Sequence, residues 1–324
     1  LHVRSRRQRQ MCIRDRSRQG RDGLYGRYRN LYVRGTHQGR GKYMKWLRFL
    51  NYDIEEGLLR FWKRYLLVIL AEVVVCAFFQ NSMEYFTKMY QEGLSPLEYG
   101  INALWGRYPY HYDPTILDSF RVPFSWIMEY LLLAYCIGGY VTEDMQGMGI
   151  QLMTKSGQRV IWWLSKCIWC IVVNLVYFGL IWGVNLTFSW ILIGDVRTMK
   201  HEMLLESYYG MEVAQTSVAQ LLCMTLLLPV LVGTAQSLFQ IIVSIRIGSI
   251  PSLVIISGIL VVSTYYSNRF LVHGYAMVSR YFTESMYKDY VPLQVSFGII
   301  YLAVCIFILM GVGYKIIQKK DILE

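Results

Sequence analysis

Few residues in this chain have the types and spacings that could do chemistry. Cys167 and Cys170 form a C-x-x-C, the spacing of a redox pair or half a metal site. No second pair or nearby histidine completes it, so two buried apolar thiols are expected. His201 and Glu202 adjoin as an H-E pair, but no second histidine follows at the spacing of a zinc helix. GTHQGRGKY, from Gly35 to Tyr43, has the glycines and lysine of a P-loop at the wrong spacing and without its hydroxyl. There is no G-x-S-x-G elbow and no acid and histidine pair on the apolar runs for an intramembrane hydrolase. The chain is therefore expected not to be an enzyme and to hold no metal or cofactor of its own.

Two acids remain, Glu72 and Glu129, each inside a strongly apolar run. An ionised carboxylate at the centre of a bilayer costs on the order of 3 kcal/mol or more, so both are expected to face protein or water rather than lipid. They either line a path through the bundle or pair across it; the bland alternatives are that they are uncharged or lie near an interface. Gly179 and Gly183 form a G-x-x-x-G that permits close helix approach, and packing within one subunit is expected over a dimer seam.

The elements that carry these residues follow from composition. Hydrophobic residues make up 54% of the 324, charged residues only 17%, and mean hydropathy is +0.30, which together exclude an ordinary soluble domain. The net charge of +11 is confined to Leu1 to Tyr43, where thirteen Lys and Arg face two acids; beyond it the two signs balance at twenty each. Within that segment QRQMCIRDRSRQGR, Gln8 to Arg21, holds five arginines. Leu1 is not an initiator and the composition changes at Tyr43, so residues 1–43 are expected to be disordered or foreign to a protein that starts at Met44. A polybasic lipid anchor is the alternative; a nucleic-acid arm is not expected. Seven cysteines, mostly inside apolar runs, imply no disulfide framework.

Spanning a hydrocarbon core of about 30 Å takes roughly 17 to 25 residues. Six runs qualify or come close: 65–79, 124–140, 167–188, 218–242, 250–266 and 293–314. Pro229 should kink the fourth without ending it, and Ser249 and Pro251 open the fifth as cap and first-turn residues. The fold expected is all-α, a polytopic membrane protein with six transmembrane helices. Ahead of them, over 44–64, Leu47, Leu50, Ile54, Leu58, Phe61 and Tyr65 recur at spacings of three and four, with Asp53 and other charges mainly on the opposite faces. That pattern predicts an amphipathic helix lying on the interface. Twelve Lys and Arg from Met44 onward fall on the side of both termini and eight on the other, which places the termini in the cytoplasm. The tyrosines at 85, 90, 99, 108, 110 and 112 and at 281, 287 and 290 read as interfacial anchors.

GGYVTEDMQGMGIQLMTKSGQRVIWWLSKCIW, Gly138 to Trp169, resembles the second-to-third span region of permease subunits of type-2 ABC exporters. There an acidic pair ends the second span, a Gly-containing turn follows, and a short helix leads into R-x-x-WW-x-S-K. Glu143 and Asp144, Gly147 and Gly149, then Arg159, Trp162, Trp163, Ser165 and Lys166 match in order. KKDIL, Lys319 to Leu323, and MKWLRFLNYDIEEGLLRFWKRYL are similar to the family's ending and N-terminal helix. The resemblance implies a multi-pass permease of a bacterial plasma membrane, paired with a second permease as homo- or heterodimer and powered by a separate ABC ATPase subunit that binds the ATP. It also implies that Glu143, Asp144, Gly147, Gly149, Arg159 and Lys166 form the loop that couples to the ATPase. Short, partly re-entrant helices are implied over Gly274 to Pro292. A noncatalytic membrane sensor or assembly subunit of another complex is the alternative function.

Overall fold

The computed structural model describes residues 41–110, 122–147, 149, 159–193, 199–283 and 291–319. Two units divide the chain, 1–49 and 50–324, and of the first only the opening of helix α1 is described. The expectation about residues 1–43 lies almost wholly outside the described residues. Tyr112, Tyr287 and Tyr290 lie outside them as well.

Among the described residues the fold is all-helical. α1 runs Gly41–Ile54 and passes into one π-helical turn, Glu55–Leu59. After a break at Arg60 and Phe61, α2 (Trp62–Ser82) leads to the short α3 (Glu84–Tyr90) and α4 (Pro96–Leu104). Next come α5 (Phe124–Ile137), α6 (Tyr140–Gln146) and the 35-residue α7 (Arg159–Ile193). α8 (Glu202–Tyr209), α9 (Met211–Gln215) and α10 (Val218–Leu222) are short, and a second π turn, Cys223–Leu227, joins α10 to α11 (Leu228–Ile247). α12 (Ser249–Tyr265), two 3-10 turns (Val272–Ala276 and Val278–Tyr281) and α13 (Val295–Lys319) complete the order. Five helical stretches are long and apolar enough to cross a membrane: Trp62–Ser82, Phe124–Gln146, Arg159–Leu192, Val218–Ile247 and Val295–Lys319. Ser249–Tyr265 is apolar but shorter. The chain is a helical multi-pass membrane protein.

α11 is the centre of the packing, and polar side chains fix its neighbours. Gln236 and Gln240, one turn apart, donate through Nε2 to the carbonyls of Tyr130 and Ala134, one turn apart on α5, at 3.0 and 2.8 Å. Asn174 of α7 donates to Ser237 at 2.9 Å. Among helices that lipid tails surround, each such bond contributes roughly 1 kcal/mol and fixes register. Gly233 makes the three-way contact possible, because a Cβ there would lie 2.3 Å from Asn174 Oδ1. Pro229 does not end this stretch; the carbonyl of Thr225, four residues before it, accepts from Trp182 Nε1 at 3.2 Å instead.

Three expectations change. The stripe over 44–64 is not one straight amphipathic helix: the π turn shifts its register, and Asp53, assigned to the polar side, is buried. Gly179 and Gly183 do not pack within the subunit, since a Cβ at either would meet nothing within 4 Å. The inward face of α7 is Cys170, Asn174, Tyr177, Ile181, Asn185 and Ser189, and the two glycines fall on the other side with the exposed Leu175 and Trp190. Tyr99 is not an interfacial anchor. It is buried on α4, its hydroxyl donates to Gln80 at 2.5 Å, and its ring meets Phe79 and Phe188 edge-on.

Candidate functional site

Where α1 gives way to the π turn, Asp53 points inward, and Gly57, one turn later on the same side, leaves room for what it meets. A Cβ at Gly57 would lie 2.6 Å from Trp169 Nε1 and 2.7 Å from the ring of Tyr140. Tyr140 opens α6 after a sharp break at Gly138 and Gly139. Gly139 has φ of 90°, which a side-chain-bearing residue rarely adopts, and this turn swings α6 back toward α7. Lys166 stands two turns into α7, on the side facing both.

The result is a closed ion triad. Lys166 Nζ lies 2.5 Å from Asp53 Oδ1 and 2.8 Å from Asp144 Oδ2, and all three side chains are buried. One cation against two carboxylates leaves a surplus negative charge, which neutral donors spread. Asp53 also accepts from Tyr140 at 2.6 Å and from the Ser165 hydroxyl. Asp144 accepts from Trp162 Nε1 at 3.0 Å and from Tyr52 at 3.1 Å. Each carboxylate thus receives three hydrogen bonds, the condition under which a buried charge cluster is tolerable. The ammonium also sits 4.4 Å from the centre of the Tyr140 ring. Gly149 closes the cage, since a Cβ there would lie 2.5 Å from Asp144 Oδ2.

A second clamp lies beside the triad. Arg64, in the first turn of α2, donates to the carbonyls of Tyr135, Cys136 and Gly138 at 3.1, 3.2 and 2.9 Å. These are orphan acceptors at the negative end of α5, so the guanidinium caps that helix while its face rests on Phe61. Arg159, at the start of α7, donates to the Gln318 carbonyl near the end of α13 at 2.9 Å. The ends of α2, α5, α6, α7 and α13 are thereby tied at one joint.

The residues singled out in the sequence divide accordingly. Asp144 and Lys166 meet in the triad, Gly149 packs on Asp144, and Arg159 ties α7 to α13. Glu143 is exposed, pointing away from its buried neighbour, and Gly147 ends α6 with its N–H on the Asp144 carbonyl. The connection 151–158 lies outside the described residues. Sequence reasoning missed Asp53, Tyr140 and Gly57 as members of the site. The available signal was an acid and a glycine four residues apart on one face of an otherwise apolar stripe.

Glu72 of α2 and Glu129 of α5 are brought together elsewhere, both buried with their carboxyls next to each other. The Cys76 thiol, one turn from Glu72, lies 3.8 Å from Glu72 Oε1 and 3.2 Å from Asn185 Oδ1. Cys167 and Cys170 are buried free thiols. His201 has Glu98 as its partner, through its N–H at 2.7 Å and its ring Nδ1 at 3.2 Å. That hydrogen bond raises the imidazole above its ordinary pKa, against the opposing effect of burial. Among the described residues no three His, Cys, Asp or Glu converge as metal ligands.

A family model described as a protein of unknown function, DUF2705, matches residues 65–323. No curated protein and no solved structure matches the chain.

Proposed function

The chain belongs to the DUF2705 family, and from the joint built on Lys166 we propose that it is the membrane-spanning permease subunit of an ATP-driven ABC exporter. In this reading Ser249–Tyr265 is the sixth span and both termini are cytoplasmic. The chain forms the translocation path with a second permease, and a separate ATPase subunit binds and hydrolyses the ATP. The observation that carries the reading is the contrast within α6. Asp144 is ion-paired inward to α7, while Glu143 beside it is exposed. An element held this way delivers a push on its outer face to a spanning helix instead of yielding locally, which is what coupling to a remote ATPase requires. The resemblance of Gly138 to Trp169 to exporter permeases supports the same assignment.

Coexpression with ABC ATPases from the same genome, followed by copurification and ATP-dependent efflux from inverted vesicles, tests the proposal. Glu143→Lys should reduce copurified ATPase at least tenfold while leaving the permease folded and inserted. Wild-type levels of copurification and stimulated ATPase activity in Glu143→Lys would sink the docking role. Recovery of the wild-type chain with a different membrane complex and no ATPase would favour the sensor or assembly alternative.

A further inference from the structure

Glu72 and Glu129 lie outside the joint, and the proposed coupling does not use them. Three helices surround the pair: α2 supplies Glu72 and Cys76, α5 supplies Glu129, and α7 supplies Asn185 and Tyr177, whose hydroxyl donates to the Glu129 backbone carbonyl at 2.6 Å. Tyr130 follows Glu129 on α5 and turns its ring toward Phe178 and His273. Among the described residues no Lys or Arg forms an ion pair with either carboxyl. Two ionised carboxylates in contact, without a cation and away from water, would repel by about 4 kcal/mol even at an effective dielectric of 20. A hydrogen bond between two carboxyl groups needs one proton on one of them.

The surrounding atoms accommodate that charge state. Glu72 Oε2 and both Glu129 oxygens are buried and receive no N–H or O–H hydrogen bond, so a proton held between the two carboxyls would supply a donor that they otherwise lack. Asn185 is fully buried; its Oδ1 faces the Cys76 thiol, and its Nδ2 is buried with no acceptor of its own beside Glu72. An unsatisfied amide donor beside a carboxyl pair calls for an acceptor oxygen there, and a pair that holds one proton keeps such oxygens free.

We propose that Glu72, Glu129 and Asn185 form a proton-binding site within the helix bundle, in which the two carboxyls share one proton taken from solvent and thereby hold α2 against α5 and α7. The ligand is the proton itself. Its departure leaves two like charges at the contact of α2 with α5, so occupancy and helix packing are linked.

Infrared spectroscopy of the full chain in phosphatidylcholine nanodiscs tests this directly. The wild type at neutral pH should show one protonated carboxyl stretch per chain that shifts in D2O. Glu72→Gln and Glu129→Gln, near-isosteric and still able to hydrogen-bond, should each move its frequency, and the double variant should lose it. Absence of the band from the wild type overturns the proposal whether or not any variant folds. Its survival unchanged in the double variant does so too, by placing the proton elsewhere. Loss of the wild-type band on adding sodium, with none on adding choline, would also overturn it, by showing a metal cation in the proton's place.

Discussion

Lys166→Met removes the only cation of the triad and leaves a side chain of similar length. The two carboxylate oxygens that Nζ bridges, at 2.5 and 2.8 Å, then face each other within about 5 Å. At that separation and an effective dielectric of about 20 their repulsion is on the order of 3 kcal/mol. Each carboxylate keeps two neutral donors, Tyr140 and Ser165 on Asp53, Trp162 and Tyr52 on Asp144, so neither is stripped bare. The expected loss is therefore about 3 to 5 kcal/mol, the range for breaking a buried pair from one side. For a chain of this size that is a fall in Tm of roughly 10 °C, at about 2 to 4 °C per kcal/mol. Because the triad holds one surplus negative charge, Asp144→Asn leaves a neutral pair and should cost clearly less than Lys166→Met. Combining Lys166→Met with Asp53→Asn and Asp144→Asn should recover most of the loss, since no uncompensated charge remains. Denaturant titration in detergent micelles, followed by tryptophan fluorescence to which the buried Trp162 contributes, measures all three. If Lys166→Met is no less stable than Asp144→Asn, the charge accounting is wrong.

Two further outcomes follow from other contacts. His201 gains its partner Glu98 on folding and its pKa is raised, so its contribution is complete below its unfolded value of 6.5 and is lost as pH climbs through the higher folded value. Stability of the wild type should decline across that window, and His201→Gln should flatten the decline in a thermal-melt series over pH. At the other glycines, Gly313→Ala should destabilise by about 1 to 3 kcal/mol, because its Cβ would fall 2.0 Å from the Trp163 ring. Gly179→Ala and Gly183→Ala, with open space around both, should leave the melting temperature of the same detergent-solubilised chain unchanged.

The helices were legible because apolar runs of this length admit one structure in a bilayer. α2, α7, α11 and α13 enclose or overlap the runs read from sequence, and α12 differs from its run by a residue at each end. What escaped was set by tertiary contact. α4 is visible in the sequence only through Tyr99, read as an interfacial anchor, yet Ser95 and Glu98 cap it reciprocally and nearly every residue of it is buried. Asp53 reads as a solvated charge because its partner lies 113 positions away in sequence. Lys166 and Asp144 could be picked out by resemblance, but no spacing rule tells that they meet each other. Gly179 and Gly183 mislead in the opposite sense: their spacing favours close approach, and the face they occupy is decided by Asn174, Tyr177 and Trp182 on the other side of the same helix.

Among the described residues α7 is the longest helix, and it has no interruption. The path from α1 to α2 bends through a π turn and the path from α10 to α11 through another, whereas Arg159–Ile193 is continuous α-helix. At 1.5 Å per residue it is about 52 Å long, well beyond a hydrocarbon core of about 30 Å. Near one end it carries the triad; near the other, Ser189 donates to the Leu94 carbonyl at 3.0 Å and Phe188 packs on Tyr99. A rod without a hinge can only tilt or slide as one piece. A displacement imposed at Lys166 would therefore be passed along α7 to the buried α4.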